Sequence, residues 1–221
     1  KNRKKIVVFT GAGVSADSGI STFRDSDGLW DKYRIEDVCT PEALARNRET
    51  VIDDAGHYAI RKLEDHFDVE VVTQNIDDLH ERAGSTHVTH LHGELRKLRS
   101  SADESLVVPI EGWEQHLDDR APDGSLLRPF VVFFGEGVPM FDRAARIPAT
   151  ADLLTVVGTP LAVYPAASLV RYIRPDVPVY LIDPNEPDMS GIRNPTELIR
   201  TNSAQGTPLL VDRLIDEFGN R

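Results

Sequence analysis

Six short, β-rich apolar runs recur along the chain, at residues 6–9, 69–73, 88–91, 129–134, 153–157 and 177–182. Most are continuous rather than alternating, the pattern of strands covered on both faces. Helical spacing fills several of the gaps. Residues 55–67, residues 76–83 before Gly84, and residues 166–173 before Pro175 each carry helical periodicity and a stop signal. A last helix is expected from a Thr207 cap and Pro208 in the first turn, with Leu210, Val211, Leu214, Ile215 and Phe218 on one face. Strands alternating with helices predict an α/β fold, a doubly wound parallel sheet. Residues 100–127 break the pattern, being polar and rich in turns, and read as a small inserted module.

Composition narrows the possible functions. The chain has 221 residues, enough for one domain with a graft to close its own core. Its net charge of −11 argues against a nucleic-acid or anionic-membrane partner. The basic residues 1–5 run straight into the first apolar run, too short for a signal core or a membrane span. One cysteine, Cys39, can form no internal disulfide and no thiolate zinc cage, so a reducing cytoplasmic setting and a metal-free protein are expected.

Three polar clusters carry the candidate chemistry. Gly11-Ala12-Gly13-Val14-Ser15-Ala16 follows the first strand and satisfies the G-x-G-x-x-G/A dinucleotide form. Glycines there let the backbone turn tightly and approach a pyrophosphate; a bare structural turn is the alternative. Glu36 and Asp37 lie at the spacing of a ribose-binding acid but follow no strand, which disfavours a hydride-transfer dehydrogenase. The second cluster, Thr73-Gln74-Asn75-Ile76-Asp77, falls at the carboxyl end of an expected strand, where open α/β sheets bind ligands. Asn75 and Asp77 could instead simply cap the helix that follows. The third is His90-Leu91-His92-Gly93. Both histidines would share a strand face, so periodicity leaves open which is catalytic, whether they bind metal, or whether each is a satisfied structural histidine.

Taken together, GAGVSADSGISTFR (11–24), TQNID (73–77), HG (92–93), FGE (134–136), VGT (157–159) and the DPNEP segment around Asn185 resemble the sirtuins, NAD-dependent protein-lysine deacylases. DGLW, PEA and DDLHERAG resemble the bacterial CobB-type, class III branch. The resemblance implies a single sirtuin-type domain over residues 1–221. Its large Rossmann-like part would take residues 1–40, 65–94 and 129–221, and its small module residues 41–64 and 95–128. NAD and an acyl-lysine protein or peptide would meet in the cleft between them.

By the same resemblance Gly11, Ala12, Gly13 and Ser15 cradle the pyrophosphate, and Phe23, Arg24 and Trp30 belong to the loop near the nicotinamide ribose. Gln74, Asn75, Ile76 and Asp77 hold that ribose and the carboxamide, with Asn75 counted as catalytic; Gly158, Thr159, Asn185 and Ala204 serve the cofactor further along. His92 is the implied general base. The acyl oxygen displaces nicotinamide from C1′ of NAD, and His92 takes a proton from a ribose hydroxyl; the products are free lysine and O-acyl-ADP-ribose. Val132, Phe134, Gly135, Glu136 and Val163 would clasp the substrate peptide as an added strand. Rival readings are an NAD glycohydrolase or ADP-ribosyltransferase on the same fold, or an idle NAD-binding module.

The chain also departs from the family pattern. Most sirtuins hold zinc with two cysteine pairs between HG and FGE, whereas this chain has none there, and Ser100 and Ser101 stand where the first pair is expected. No metal is therefore expected, and packing of Leu106, Val107, Val108, Ile110, Trp113 and Leu117 should hold the module instead. Pro160 replaces the usual serine after Gly-Thr, which puts one adenosine-side contact in doubt. Class III members read acidic acyl groups with a Tyr-x-x-Arg pair; Tyr58 and Arg61 have that spacing but sit in the wrong helix. Either the acyl-reading helix is missing, or a stretch is absent near Asp53 and Asp54.

Overall fold

The computed structural model describes residues 3–15, 55–110 and 115–219. Six strands form one parallel sheet: β1 (Lys5–Thr10), β2 (Asp68–Thr73), β3 (Val88–His90), β7 (Leu153–Val157), β8 (Val179–Ile182) and β9 (Thr196–Ile199). Their spatial order is β3-β2-β1-β7-β8-β9. β1 therefore lies at the centre, where the winding reverses from the β2 side to the β7 side, the switch point of a dinucleotide fold. β4 (Gly93–Ser100), β5 (Val107–Pro109) and β6 (Leu127–Val131) make a separate antiparallel sheet in the order β5-β4-β6.

The apolar runs are continuous because alternate residues feed different cores. Val7 and Phe9 of β1 join Val72, Leu154, Val156, Val179 and Leu181 on one face, covered by the 3-10 helix Ala166–Tyr172. Ile6 and Val8 join Val69, Val71, Leu153 and Ile182 on the other. That second face is covered by α1 (Ala55–Leu63), through Ala59, Ile60 and Leu63, and by the final helix α4 (Ser203–Phe218), through Leu210, Val211 and Leu214. Two single-turn helices complete the elements named here: α2 (Leu79–Arg82) and α3 (Phe141–Ala144).

Several expectations change. The apolar face of residues 55–63, expected in the small module, is buried on the large sheet beside α4. The expected divisions at 94/95 and 128/129 both cut through strands of the small sheet, β4 and β6. The run at 129–134 is half-covered and antiparallel, and ends at Val131. β9 carries too little apolar residue to stand out in the sequence. α4 begins four residues before Thr207: Asn202 accepts the Gln205 N–H at 3.0 Å, and Pro208 lies inside the helix. The expected helix at 76–83 contracts to one turn at 79–82, and the stretch near Asp53 and Asp54 lies outside the described residues.

At the switch point the ends of β1 and β7 are joined by main-chain bonds, Gly11 N–H to Val157 O at 3.1 Å and Gly13 N–H to Gly158 O at 2.8 Å. Gly158 has φ +63°, and a Cβ on Gly13 would lie 2.6 Å from Gly158 Cα. Gly158→Ala combines left-handed strain with a collision against Gly13 and Val14, whereas Gly124, at φ +83°, has open space around it. Urea unfolding should show Gly158→Ala destabilised by about 1–3 kcal/mol or more, and Gly124→Ala by roughly 1 kcal/mol. Equal losses would show that the backbone approach contributes nothing.

Candidate active site

The carboxyl ends of β1, β2, β3 and β7 bring the three polar clusters together. Ser15, buried at the end of the glycine turn, lies 3.3 Å from Asn75 Nδ2. Gln74 Nε2 donates to Thr159 Oγ1 at 2.9 Å, joining the β2 loop to the β7 loop. Thr159 is buried, and Leu161, two residues on, adopts the left-handed φ of 55°. Gly11, Ala12, Gly13, Ser15, Gln74, Asn75, Gly158 and Thr159 are thus gathered by the strand ends. Ile76 and Asp77 continue the same half-buried loop. Phe23, Arg24 and Trp30 lie outside the described residues.

A buried polar chain supports this loop from below. Thr10 Oγ1 donates to Thr73 Oγ1 at 2.8 Å, so it accepts from His80 Nε2 at 3.0 Å. Thr73 Oγ1 in turn accepts the Asn75 N–H at 3.0 Å. Burial drives the His80 pKa well down, with the nearby His57 and His90 acting the same way. The uncharged His80 ring suits a site between two threonine-bearing strands.

The side chains of Asn75 and Asp77 have different tasks. Asp77 Oδ1 accepts the Leu79 N–H at 3.1 Å and so closes the turn into α2, whose N-cap is Asp78. Asn75 does not cap; its amide points to Ser15. Desolvation raises the Asp77 pKa, against the nearby His57 charge, the Leu79 N–H and His90.

Geometry separates the two histidines that periodicity could not. His90 is buried, with both ring nitrogens taken: Nδ1 lies 2.8 Å from Asn75 O and Nε2 lies 2.8 Å from Glu81 Oε1. His92 is half-buried, and its Nδ1 lies 3.0 Å from Gln74 O. A main-chain carbonyl can only accept, so Nδ1 carries the hydrogen and the neutral ring presents Nε2 as a lone pair. Burial lowers the His92 pKa, partly opposed by the Gln74 carbonyl. His92 is therefore neutral at physiological pH, with one basic nitrogen.

The expected peptide-contacting residues flank His92. Val132 N–H donates to His92 O at 2.9 Å, continuing the line of β6 past its last paired residue. Phe134 is 99% exposed and Val163 is 42% exposed, while Gly135 takes φ +89°. Glu136 serves the loop itself: its carboxylate accepts from Arg128 Nη1 and from the Phe133 N–H at 3.0 Å, and lies 3.6 Å from Arg99 Nη2. Sequence reasoning missed Arg128 and Arg99, which organise this turn. Asn185 is exposed after β8, with its N–H held by Asp183 Oδ1 at 2.9 Å, and Ala204 lies in the first turn of α4. Arg61 pairs with Asp65 at 2.9 Å, and the helix that carries it and Tyr58 lies over the large sheet.

The small sheet is built differently from expectation. Leu117 is 99% exposed, Val107 is exposed, and Trp113 lies outside the described residues. Leu98, Arg99 and Ser100 of β4 are buried instead. Ser100 Oγ donates to Asp123 Oδ2 at 2.7 Å, lies 2.7 Å from Ser125 Oγ, and accepts the N–H groups of Ala102 and Asp103. The Asp123 carboxylate also accepts from the Ser125 hydroxyl and N–H. These donors are saturated by one another and include no thiolate, so they do not fit zinc.

Residues 11–165 match the Sir2 family. The NAD-dependent protein deacylase of Aggregatibacter actinomycetemcomitans is 49% identical over 193 residues, 81% of this chain and 92% of the relative. That of Bacteroides thetaiotaomicron is 45% identical, with 96% and 98% covered. A crystal structure of a Sir2 homolog–NAD complex superimposes with a TM-score of 0.74 at 37% identity, over 98% of this chain and 91% of that one. The switch-point glycines, the polar loop after β2 and the paired small sheet thus occur in a chain that belongs to the Sir2 family.

Proposed function

We propose that this protein is an NAD-dependent protein-lysine deacylase in which His92 is the general base. The observation that carries the assignment is the His92 ring, fixed through Nδ1 on the Gln74 carbonyl and left basic at Nε2, beside the Asn75–Ser15 contact at the switch point. The NAD-dependent deacylase names of the close relatives and the NAD-bound homologue support the same cosubstrate.

The crevice suits a dinucleotide. Its glycines allow a backbone approach that any Cβ would block, and its buried hydroxyls and half-buried amides are small and uncharged. In this reading Gly11, Ala12, Gly13 and Ser15 face the pyrophosphate, while Gly158, Thr159, Asn185 and Ala204 serve the adenosine side. Gln74, Asn75, Ile76 and Asp77 orient the nicotinamide ribose, and Phe23, Arg24 and Trp30 act near it. Bound NAD supplies an electrophilic ribose carbon and a leaving nicotinamide. His92 Nε2 accepts a proton from a ribose hydroxyl, and its half-buried position keeps that nitrogen unprotonated until the transfer. Val132, Phe134, Gly135, Glu136 and Val163 present the edge to which an acyl-lysine peptide adds as a strand.

The division into a large NAD-binding part and a small module follows the two sheets, with residues 55–63 assigned to the large one. Among the described residues no helix is long and apolar enough to cross a membrane. A chain with a single cysteine suits a reducing compartment, and we place it in the cytoplasm, with acyl-lysine proteins rather than nucleic acid or membrane as partners.

With NAD and acetyl-, succinyl- and malonyl-lysine peptides, mass spectrometry should detect free lysine peptide and O-acyl-ADP-ribose. His92→Ala should slow turnover by about 10²–10⁴-fold. Nicotinamide release at an equal rate without any acyl peptide would replace the deacylase reading with a glycohydrolase. Because only neutral His92 can accept the proton, kcat/KM should fall as acid protonates it. The midpoint should lie below the ~6.5 of an ordinary histidine; a midpoint above 7 would exclude His92 as the titrating base.

The small sheet should be stable without metal. Elemental analysis after dialysis should find zinc far below stoichiometric, and a chelator should leave the unfolding midpoint unchanged. Ser100→Ala removes one of the donors to Asp123, which keeps its Ser125 contacts, and the shared acceptor of two main-chain N–H groups, and should cost about 0.5–1.5 kcal/mol. One zinc per chain surviving dialysis would overturn this.

A further inference from the structure

His90 has no part in the proton transfer assigned to His92, yet its ring is buried beneath the same loop with both nitrogens engaged. The protonation of this pair follows from counting hydrogens. Asn75 O offers only lone pairs, so the 2.8 Å contact requires a hydrogen on Nδ1. The 2.8 Å contact between Nε2 and Glu81 Oε1 needs a second, since an ionised carboxylate also offers only lone pairs. A neutral histidine carries one such hydrogen, so it can satisfy one of the two partners and must turn a lone pair on the other.

We propose that His90 is a positioning residue for the Asn75 loop: as an imidazolium strung between the Glu81 carboxylate and the Asn75 main-chain carbonyl, it locks the loop for cosubstrate binding, and loss of its proton unlocks it. The proposal rests on the reading of Asn75 as a ribose-side residue.

The lock completes a grip on one residue. The Asn75 N–H is held by Thr73 Oγ1, its carbonyl by His90 and its side chain by Ser15. The preceding carbonyl, Gln74 O, holds His92. Consecutive peptide oxygens therefore each receive a histidine: one fixes the loop, the other fixes the base. Movement of the peptide that links them would shift His92 as well as Asn75.

The charges around His90 favour this state. Burial by itself lowers the His90 pKa, but Glu81, the Asn75 carbonyl and Glu94 on β4 together outweigh it and raise it. Asp77 lies within electrostatic reach on the loop, and His80 on α2 opposes the charge. Lys97 on β4 acts on Glu81 and pairs with Glu94 at 2.7 Å. Glu81 feels desolvation first, yet its hydrogen bond to His90 and the charges of His90 and Lys97 leave its pKa lowered. The sign follows: the lock is present below the raised His90 pKa and is lost as pH rises through it, opposite to the acid loss set by His92.

Glu81→Gln distinguishes this lock from a merely structural contact. A glutamine amide can donate to Nε2 of a neutral ring whose Nδ1–H still reaches Asn75 O, so the two contacts no longer depend on a proton. Calorimetric titration with NAD should show binding by the unsubstituted protein weakening roughly 5-fold or more between pH 7 and pH 9. Glu81→Gln should show no such change. His90→Phe, which keeps a ring and removes both donors, should bind NAD weakly at both pH values; Glu81→Gln remains decisive if that variant fails to fold.

Histidine-labelled NMR without NAD provides the independent readout. His90 should titrate above the ordinary histidine value and move the Asn75 amide resonance with it, and both effects should vanish in Glu81→Gln. A His90 titration at or below the ordinary value, or the same alkaline weakening in Glu81→Gln, would overturn the proposal. Because the NMR arm needs neither NAD nor turnover, failure of the deacylase reading, seen as absent deacylation, is separable from failure of the lock.

Discussion

The backbone contact between the β1 and β7 loops governs how the site is assembled. Gly13 N–H reaches Gly158 O at 2.8 Å, and neither position has room for a Cβ. This approach lets the glycine turn and the Gly158–Thr159 loop share one crevice where the winding of the sheet reverses. Gln74 then bridges from β2 to Thr159, and Asn75 from the same loop to Ser15. A wider gap at the glycines would draw Ser15 away from Asn75 and Thr159 away from Gln74, breaking both side-chain bridges.

Below that contact, buried polar groups pair with one another, although His80 Nδ1 has no hydrogen-bond partner. Thr10, Thr73 and His80 form a chain of neutral hydrogen bonds between buried strand ends. Low local dielectric rewards such satisfied chains and penalises a stranded member heavily. His90 and Glu81 form a histidine–carboxylate pair whose carboxylate side reaches toward solvent. Two histidines separated by one residue thus differ in surroundings: one meets a carboxylate and a carbonyl, and the other a carbonyl alone.

The small sheet meets a related demand with hydroxyls and a carboxylate. A cross-link between distant points can be made by four thiolates on zinc or by hydroxyls and a carboxylate that satisfy one another. Here Ser100, Asp123 and Ser125 make the second kind, while Arg99 and Arg128 converge on Glu136 to fix the turn that ends in Phe134. Of the residues expected to pack this module, Leu106, Val108 and Ile110 are half-buried while Leu117 and Val107 face outward.

Unbroken apolar runs identified five of the six parallel strands, because strands covered on both faces must be apolar throughout. β9 escaped notice: at the sheet edge, Thr196 and Glu197 face solvent. The motif order from Gly11 to Asn185 identified the family and the residues to inspect, since glycines and polar clusters at strand ends are local features of a chain. Tertiary structure alone decided that residues 55–63 cover the large sheet, that Ser100 finds Asp123, and that His90 finds Glu81. It also decided that His90 has both ring nitrogens engaged while His92 has a hydrogen-bond partner at Nδ1 alone. Those outcomes depend on which acceptor a side chain meets across the fold, and strand periodicity, which gives His90 and His92 the same face, contains no such information.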